Sequence, residues 1–414
     1  MTDATPAFRW RSIALPALLP TALFSTGEGA IIPVIPVIAS NMGASLAIAG
    51  FIAAMLTVGE LAGDLPGGWV VGRLGERGAM LVATGVSLAG VALAYFVQHP
   101  IALGVGILMV GLAAAVFGLA RHAFMTTFVP IGYRARALST LGGTHRLGLF
   151  IGPFITAALI SLTGAAESAI LVFAVACVIV ATVLLLLPDP ESLFTARSRG
   201  ATAERQTEER VLHDESTGLL STLRRYRSLL LRLGLGAASI GALRASRQVI
   251  LPLWALSIGL DGAHTALIIG IAGAVDFALF YTGGQIMDRF GRLFTAVPSI
   301  IGLSAGHIAL AFTHGSTANE MWFTALALFL SIANGIGAGI LMTLGSDLAP
   351  PRSPAQFLGV WRLCGHAGGA AAPLAIAAIT AAASLPVAAA VIGIVGLSGA
   401  GMLLRYLPRY STHT

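Results

Sequence analysis

The sequence predicts an all-α membrane protein in which twelve transmembrane helices form two pseudo-symmetric bundles of six. Three observations support this fold class. The mean hydropathy is +0.87 and only 10% of the residues are charged, whereas about 25% are charged in an average soluble protein. Apolar runs long enough to cross a bilayer occur twelve times. The second half of the chain repeats polar positions of the first half at one constant offset.

The apolar runs approach or exceed the roughly 20 residues that a helix needs to cross the hydrocarbon core. They cover residues 12–39, 46–71, 78–97, 101–129, 137–162, 167–188, 228–258, 263–287, 293–313, 319–346, 354–382 and 385–407. A polar, charged segment divides them six and six. We therefore expect an amino-terminal bundle over 1–188, a cytoplasmic central loop over 189–227 and a carboxy-terminal bundle over 228–414.

The basic residues predict the topology. All 24 are Arg, and those outside the apolar runs lie in the termini or the even-numbered connections. By the positive-inside rule, both termini and these connections face the cytoplasm, and the net charge of +6 does not imply a nucleic-acid partner. We expect the first run to be a retained signal anchor. Cys177 and Cys364 lie inside predicted spans, which argues against a disulfide framework.

An internal repeat relates the two halves at an offset of 216 residues. The matched positions include Glu60 with Asp276, Gly67 and Gly68 with Gly283 and Gly284, Arg73 with Arg289, Gly75 with Gly291, Arg146 with Arg362, and Gly152 with Gly368. Because each half crosses six times, both have the same orientation and are related by an axis along the membrane normal. This arrangement is typical of a transporter whose two halves rock about a midplane site.

The connections after the second and eighth runs carry a recognisable motif. GWVVGRLGER (68–77) and GQIMDRFGRL (284–293) resemble the major facilitator superfamily signature G-x-x-x-D-R-x-G-R-[RK]. The matching residues are Gly68, Arg73 and Gly75 in the first copy, and Gly284, Asp288, Arg289, Gly291 and Arg292 in the second. The first copy departs from it at Gly72 and Glu76. The resemblance covers essentially the whole chain and implies alternating access, with an Asp-Arg latch that holds one closed state.

The fifth run contains GLFIGPF (148–154), which is similar to the G-x-x-x-G-P element of proton-coupled antiporters in that superfamily. Gly148 and Gly152 lie one turn apart and permit close helix approach, and Pro153 kinks the helix. An ordinary small-residue packing face explains the same pattern equally well. The chain thus most resembles the twelve-span drug/proton antiporter group, which implies export.

Charged residues inside the spans are functional candidates because they are expensive in a bilayer. The acids are Glu28, Glu60, Asp64 and Asp276, and the bases are Arg121, Arg146, Arg244, Arg247 and Arg362. In the superfamily the second helix meets the eleventh and the fifth meets the eighth. The resemblance and the repeat therefore predict two ion pairs between the halves, Glu60 with Arg362 and Asp276 with Arg146. Glu28 and Arg244 are predicted to face each other across the central cavity.

These charges have two interpretations. The two interface pairs are either permanent structural pairs or part of the moving interface. Glu28 and Asp64 have no evident fixed partner, so we favour a role for them in binding protons or substrate, since burial favours the neutral form of a carboxyl group. His145, beside Arg146, is a second-rank candidate for the same pathway. No metal-ligand spacing, catalytic nucleophile motif or nucleotide-binding loop stands out, so we expect no cofactor.

The leading functional hypothesis is a secondary transporter of the bacterial inner membrane, not an enzyme, that exports a drug-like or metabolite-like compound in exchange for protons. The alternative is a symporter or uniporter that imports an organic anion, because Arg groups suit carboxylates and phosphate esters. The discriminating observation is whether Arg groups or carboxylates face the cavity. The expected partners are the lipid bilayer, a small-molecule substrate and protons, with the chain a monomer. A membrane-embedded sensor or scaffold without transport is a third, weaker hypothesis.

Overall fold

A computed structural model describes residues 17–129, 131–186, 224, 226–349 and 354–409, and every regular element in those ranges is a helix. We number the crossings α1 to α12. They are α1 Leu19–Asn41, α2 and α3 within the helix Leu46–Phe96, α4 Pro100–Phe128, α5 Ile131–Thr163, α6 Ser168–Leu186, α7 Arg227–Ser257, α8 Gly262–Phe290, α9 Leu293–Ala311, α10 Asn319–Leu348, α11 Pro354–Ala382 and α12 Leu385–Tyr406. Most of the predicted central loop lies outside the described residues, and the domain boundaries stay a prediction.

Within the described residues, eleven helices are long and apolar enough to span a membrane. The helix Leu46–Phe96 has 51 residues, which is twice the length that a bilayer requires, and Gly75 interrupts it with φ 71° and ψ 170°. It therefore contains two crossings, α2 (46–74) and α3 (76–96), and the predicted fold class is confirmed. Gly291 takes the equivalent position between α8 and α9, with φ 93°. Glycine is favoured at both turns because a side chain disfavours this conformation.

Equivalent capping residues start the second helix of each half. The Ser45 hydroxyl accepts a hydrogen bond from the backbone N–H of Ile48 at 3.4 Å. Asp261, which lies at the same position in the repeat, accepts from the backbone N–H groups of Ala263 and His264 at 2.8 and 2.9 Å. Both side chains satisfy backbone donors that the first turn of a helix leaves without partners. The repeat therefore conserves the role of the cap and not the residue type.

Glycine residues let helices cross closely inside each half. A Cβ at Gly148 would lie 2.6 Å from Ser25 Cβ, and one at Gly29 would lie 2.8 Å from the Leu149 backbone. These contacts seat α5 directly on α1. At the equivalent crossing of α7 and α11, a Cβ at Gly368 would lie 2.8 Å from Ala238 Cα. Because no side chain fits between these backbones, the glycines set the distance between the helices.

The two halves meet through α2 with α11 and through α5 with α8, as the family resemblance predicted. We call the end that carries the turns at Gly75 and Gly291 the even-loop end, and the opposite end the odd-loop end. At the odd-loop end a Cβ at Gly50 of α2 would lie 3.0 Å from Leu253 Cδ1 of α7, and one at Gly262 of α8 would lie 3.3 Å from Ile160 Cδ1 of α5. Small residues thus hold the halves in contact there.

Two crossings are broken near the middle of the molecule. In α1 a short 3-10 turn, Ile32–Val34, separates Leu19–Ile31 from Ile35–Asn41. In α10 the helix ends at Ile336 and restarts at Ile340, and Gly339 has φ 81°. A broken helix leaves backbone carbonyl groups without intrahelical partners, and such groups are tolerated at membrane depth where protein or a cavity surrounds them.

Candidate substrate cavity

A cavity of about 280 Å³ lies between the two halves. It is lined by α1, α5, α7, α8 and α10, so both halves contribute to it. The lining residues are Gly29, Ile32, Pro33, His145, Arg146, Leu149, Phe150, Pro153, Arg244, Arg247, Gln248, Leu251, Pro252, Ile269, Ala272, Gly273, Asp276, Phe277 and Asn334. Three guanidinium groups and one carboxylate therefore face the same space.

Asp276 of α8 is the centre of a polar network on the cavity wall. Its Oδ1 lies 3.3 Å from Nη1 of Arg146 on α5, and its Oδ2 lies 3.3 Å from Nη2 of Arg247 on α7. Asn334 of α10 donates a third hydrogen bond to Oδ2 at 2.9 Å. Arg247 also donates to the Ser331 hydroxyl at 2.7 Å. The predicted pair of Arg146 and Asp276 is therefore present, and it belongs to a larger cluster that joins the two halves.

Arg244 binds the broken segment of α10. Its Nη2 donates to the carbonyl oxygen of Gly337 in the break, which also accepts from the backbone N–H of Ile340 at 3.3 Å. The Nε atoms of Arg244 and Arg247 are buried and have no protein partner among the described residues. Both guanidinium groups therefore keep hydrogen-bonding capacity that the protein does not use.

A second polar cluster lies in the amino-terminal half, beside the cavity. Nδ1 of His145 lies 3.3 Å from Nη1 of Arg121 and 2.5 Å from the Ser25 hydroxyl. Because a guanidinium group only donates, Nδ1 of His145 is the acceptor, and the imidazole is neutral with its proton on Nε2. The buried Glu28 lies within electrostatic range of Arg121, and Glu60 lies within range of Glu28 and Asp64.

The prediction that Glu28 faces Arg244 across the cavity is wrong. Glu28 is 5% exposed and is not among the residues that line the cavity. The adjacent Gly29 lines it, and one residue turns the side chain by about 100° around a helix. Glu28 is thereby directed towards Arg121 in its own half, while Arg244 is held by α10.

The predicted pair of Glu60 and Arg362 is also absent. The prediction placed the end of α2 at residue 71, but α2 continues to Gly75. Glu60 therefore lies about 21 Å from its helix end, and Arg362 lies about 12 Å from the start of α11. Arg362 is exposed and within electrostatic range of His122. The repeat identified the right helices but the depths of these two side chains do not match.

Asp64 and His366 form the contact between α2 and α11 instead. The carboxylate Oδ2 of Asp64 is hydrogen-bonded to Nδ1 of His366, and the two side chains are 28% and 43% exposed. Asp64 lies one helical turn after Glu60, and His366 lies one turn after Arg362. Their distances from the even-loop ends of α2 and α11 are about 15 and 18 Å. Asp64 therefore has a partner, contrary to the expectation from the sequence.

The two signature loops make different contacts at equivalent positions. Arg292 donates from Nε to Asp347 of α10 at 2.8 Å, and this hydrogen bond raises the pKa of Arg292. Glu76, at the same position in the repeat, accepts from Thr127 of α4 at 3.1 Å. Each loop is thus fixed to the fourth helix of its own half.

The Asp-Arg latch that holds one closed state stays a prediction, and the other Arg residues of the two motifs contact aromatic rings. Arg289 lies 5.3 Å from the ring of Phe290, and Arg73 lies 5.3 Å from the ring of Trp69. Among the described residues no ion pair joins Asp288 to Arg289, and the Arg residue of the motif that pairs with a carboxylate is Arg292, with Asp347. The motif glycines Gly68 and Gly284 have open space where a Cβ would lie, while their neighbours Gly67 and Gly283 pack closely.

Several cavity residues were not singled out from the sequence. They are Gln248 and Asn334, which line the cavity, together with Ser331 and the backbone of Gly337, which bind the cavity residues Arg247 and Arg244. The signal was present in SIANGIGAGI (331–340), where Ser and Asn precede three glycines at alternate positions. Among the described residues, no cluster of His, Cys, Asp and Glu is suited to a metal ion.

Comparison with known proteins places the chain in a family. The Major Facilitator Superfamily model matches residues 17–373. The structure is similar to a D-xylose-proton symporter, with a TM-score of 0.70, 17% identity, and coverage of 96% of this chain and 97% of the symporter. The inward-open xylose transporter XylE from E. coli matches with a TM-score of 0.71 and 14% identity, over 96% of this chain and 96% of XylE. A POT family transporter bound to a thioalcohol-conjugated peptide matches with a TM-score of 0.74 and 12% identity, over 97% of this chain and 96% of that transporter.

At these identities the solved structures support the fold alone, and the comparison with curated sequences found no match. The family match is independent of them and extends over most of the chain. It agrees with the twelve crossings, the two related halves and a cavity between them. The chain therefore belongs to the major facilitator superfamily, and it is a membrane transporter and not an enzyme.

Proposed function

We propose that this chain is a secondary transporter for a small organic anion, which binds to Arg146, Arg244 and Arg247 in the central cavity. The observation that supports the proposal is the charge of the cavity wall. Among the described residues, three guanidinium groups face the cavity and one carboxylate, that of Asp276, opposes them. Since His145 is neutral in this arrangement, the wall carries a net positive charge of two.

An excess of positive charge at membrane depth is costly unless an anion balances it. A carboxylate or phosphate group satisfies guanidinium donors with charge-assisted hydrogen bonds, often two at a time. The Nε atoms of Arg244 and Arg247 have no protein partner among the described residues, but both atoms are buried and are not exposed to the cavity. The support for an anion therefore comes from the excess charge of the cavity wall, which a bound anion would offset.

The competing hypothesis, efflux of a drug-like or metabolite-like compound in exchange for protons, has less support from the cavity if that compound is a cation. A cationic substrate requires a carboxylate that is free to pair with it. Asp276 already binds two Arg side chains and Asn334. The Gly148 and Gly152 element seats α5 on α1, a packing role that favours neither direction of transport. Proton-coupled antiport of an anion is still compatible with the proposed site.

Proton coupling is part of the proposal and rests on a different group of residues. Glu28 is buried, has no ion pair within 4.0 Å among the described residues, and lies near both Arg121 and Glu60. Carboxyl groups in such surroundings are suited to binding a proton within the transport cycle. We infer further that the even-loop end faces the cytoplasm of a bacterial inner membrane, because the Arg residues concentrate there.

Transport assays in proteoliposomes test the proposed function. The panel comprises benzoate, hexanoate, inorganic phosphate, a neutral sugar and a lipophilic cation, each measured with and without an imposed pH gradient. We expect one or more anions to be transported, and the cation and the sugar to be inactive. Arg247→Gln is expected to weaken anion binding about tenfold to a hundredfold, the range for a lost charge-assisted hydrogen bond. Arg247→Lys should retain part of the affinity.

The matched control is Arg405→Gln, which removes the same charge at the end of α12, away from the cavity. It is expected to bind anions as the unaltered protein does. Transport of the lipophilic cation, together with full anion binding by Arg247→Gln, would refute the proposal and restore the drug-efflux hypothesis.

A further inference from the structure

The cavity wall is divided into two layers along the membrane normal. The charged residues Arg146, Arg247 and Asp276 lie towards the even-loop end on α5, α7 and α8. On the same helices, the lining residues one turn towards the odd-loop end are apolar: Phe150, Leu251 and Ala272. Because the same division occurs on three helices from both halves, it describes the cavity as a whole and does not depend on one side chain.

The spacing of the layers gives a length. Four residues separate Arg146 from Phe150, Arg247 from Leu251 and Ala272 from Asp276. At 1.5 Å per residue, the apolar layer lies about 6 Å from the charged layer. This is roughly the extent of one aromatic ring or a short alkyl chain attached to a charged head group.

Aromatic rings form part of the apolar layer. The rings of Phe150 and Phe277 stack across the interface of the halves, with centroids 6.1 Å apart and planes 12° from parallel. Phe277 follows Asp276 in sequence, but side chains lean towards the amino terminus of their helix. Since α8 begins at the odd-loop end, its ring leans towards Phe150. Ile32 and Ile269 complete an apolar surface next to the end where the halves are in contact.

Among the described residues, three neutral side chains with hydrogen-bonding groups line the cavity: His145, Gln248 and Asn334. Gln248 and Asn334 are the amides that line it, and Asn334 already donates to Asp276. A sugar or a sugar phosphate exposes many hydroxyl groups, each of which is costly to bury without a partner. An apolar body attached to one anionic group meets no such penalty.

From this division we infer that the substrate is an amphipathic monocarboxylate, with its carboxylate at Arg146, Arg244 and Arg247 and its apolar body against Phe150 and Phe277. The inference rests on the proposed function and narrows its substrate class. It excludes small hydrophilic anions and phosphorylated sugars as preferred ligands.

Binding of a matched series of anions to the purified full chain in detergent tests the inference. The probes are the straight-chain carboxylates from acetate to hexanoate, together with benzoate, inorganic phosphate and the neutral benzyl alcohol, measured by calorimetry. Affinity is expected to rise about threefold to fourfold for each buried methylene group. Benzoate should bind more tightly than acetate, and benzyl alcohol should not bind detectably.

Variants locate the effect in the cavity. Phe150→Ala is expected to reduce the gain from acetate to benzoate at least tenfold and to leave acetate binding within about twofold, since acetate does not reach the apolar layer. If Phe150→Ala impairs folding, Phe150→Leu is used instead, because it preserves an apolar surface. This variant should retain most of the gain in affinity from acetate to hexanoate. The control is Phe312→Ala, because Phe312 is 83% exposed and outside the cavity.

The outcomes separate the inference from the proposed function. Equal affinities for acetate and hexanoate, or tighter binding of phosphate than of any carboxylate, with both still dependent on Arg247, would overturn the inference and leave the anion transporter intact. Absence of binding for every anion in the series would overturn both. A chain-length dependence that persists unchanged in Phe150→Ala would place the apolar contact elsewhere and also overturn the inference.

Discussion

Replacement of Asp276 by Asn tests the organisation of the cavity most directly. The substitution keeps the shape of the side chain and removes the only carboxylate among the described residues that line the cavity. Arg146 and Arg247 then lose their ion pairs while they stay largely buried. Two effects are expected: the protein without ligand becomes less stable, and the freed guanidinium groups bind an anion more tightly.

The magnitude follows from burial. Removal of one partner from a buried ion pair typically costs about 3–5 kcal/mol, because the other charge is left uncompensated. Asp276 and Arg247 are each 14% exposed and Arg146 is 23% exposed, so the site lies near the buried limit but can admit water. We therefore expect about 3 kcal/mol of destabilisation. In this variant an anion no longer competes with the Asp276 carboxylate for the guanidinium groups. The affinity of the protein for the anion should therefore rise about tenfold, equivalent to one charge-assisted hydrogen bond.

Thermal unfolding of the purified protein in detergent measures both effects, with and without benzoate. The double variant Asp276→Asn with Arg146→Gln removes one charge of each sign, and it should recover part of the lost stability in a double-mutant cycle. Asp288→Asn is the control, because Asp288 is an exposed carboxylate of the same helix. Unchanged stability together with weaker benzoate binding in Asp276→Asn would show that Asp276 serves the ligand, and would refute the reasoning.

Three further substitutions probe the framework. Gly152→Ala places a Cβ 2.5 Å from the Ala30 backbone and should destabilise by about 1–3 kcal/mol, whereas Gly142→Ala, which has open space, should be neutral in the same unfolding assay. His366→Gln breaks the pair with Asp64, in which the two side chains are 43% and 28% exposed; since exposed ion pairs contribute little, the loss of stability should stay below about 1 kcal/mol, and a larger loss would contradict this expectation. Arg292→Gln should free the signature loop from α10, and faster proteolysis near residue 291 would report it.

The sequence predicted the framework because bilayer physics acts on whole segments. Each crossing must be long, apolar and internally hydrogen-bonded, and these requirements are visible in composition alone. The offset of the repeat then related positions that hydropathy does not distinguish. Gly75 and Gly291 occupy matching turns, and the pair of Asp276 and Arg146 joins the helices that the repeat and the family resemblance indicated.

The failures arose where one turn of helix decides the contact. An error of three residues in the end of α2 moved Glu60 by about 5 Å along the axis, enough to exchange the predicted pair for Asp64 with His366. The break in α10 was missed because its residues are apolar or small and fit a continuous span. Its consequence, the hydrogen bond from Arg244 to the Gly337 carbonyl group, depends on tertiary packing that no local pattern specifies.

Two adjacent residues of α5 connect the polar clusters of the two halves. His145 accepts from Arg121, which lies near the buried Glu28, while Arg146 pairs with Asp276 on the opposite half. Protonation of Glu28 would remove the charge that opposes Arg121 and so change the position that this guanidinium group favours. Because His145 and Arg146 are adjacent on α5, a movement of Arg121 that displaces His145 would also displace Arg146 at the substrate site. On the proposed function, proton and anion sites are therefore distinct, and α5 is the element that couples them.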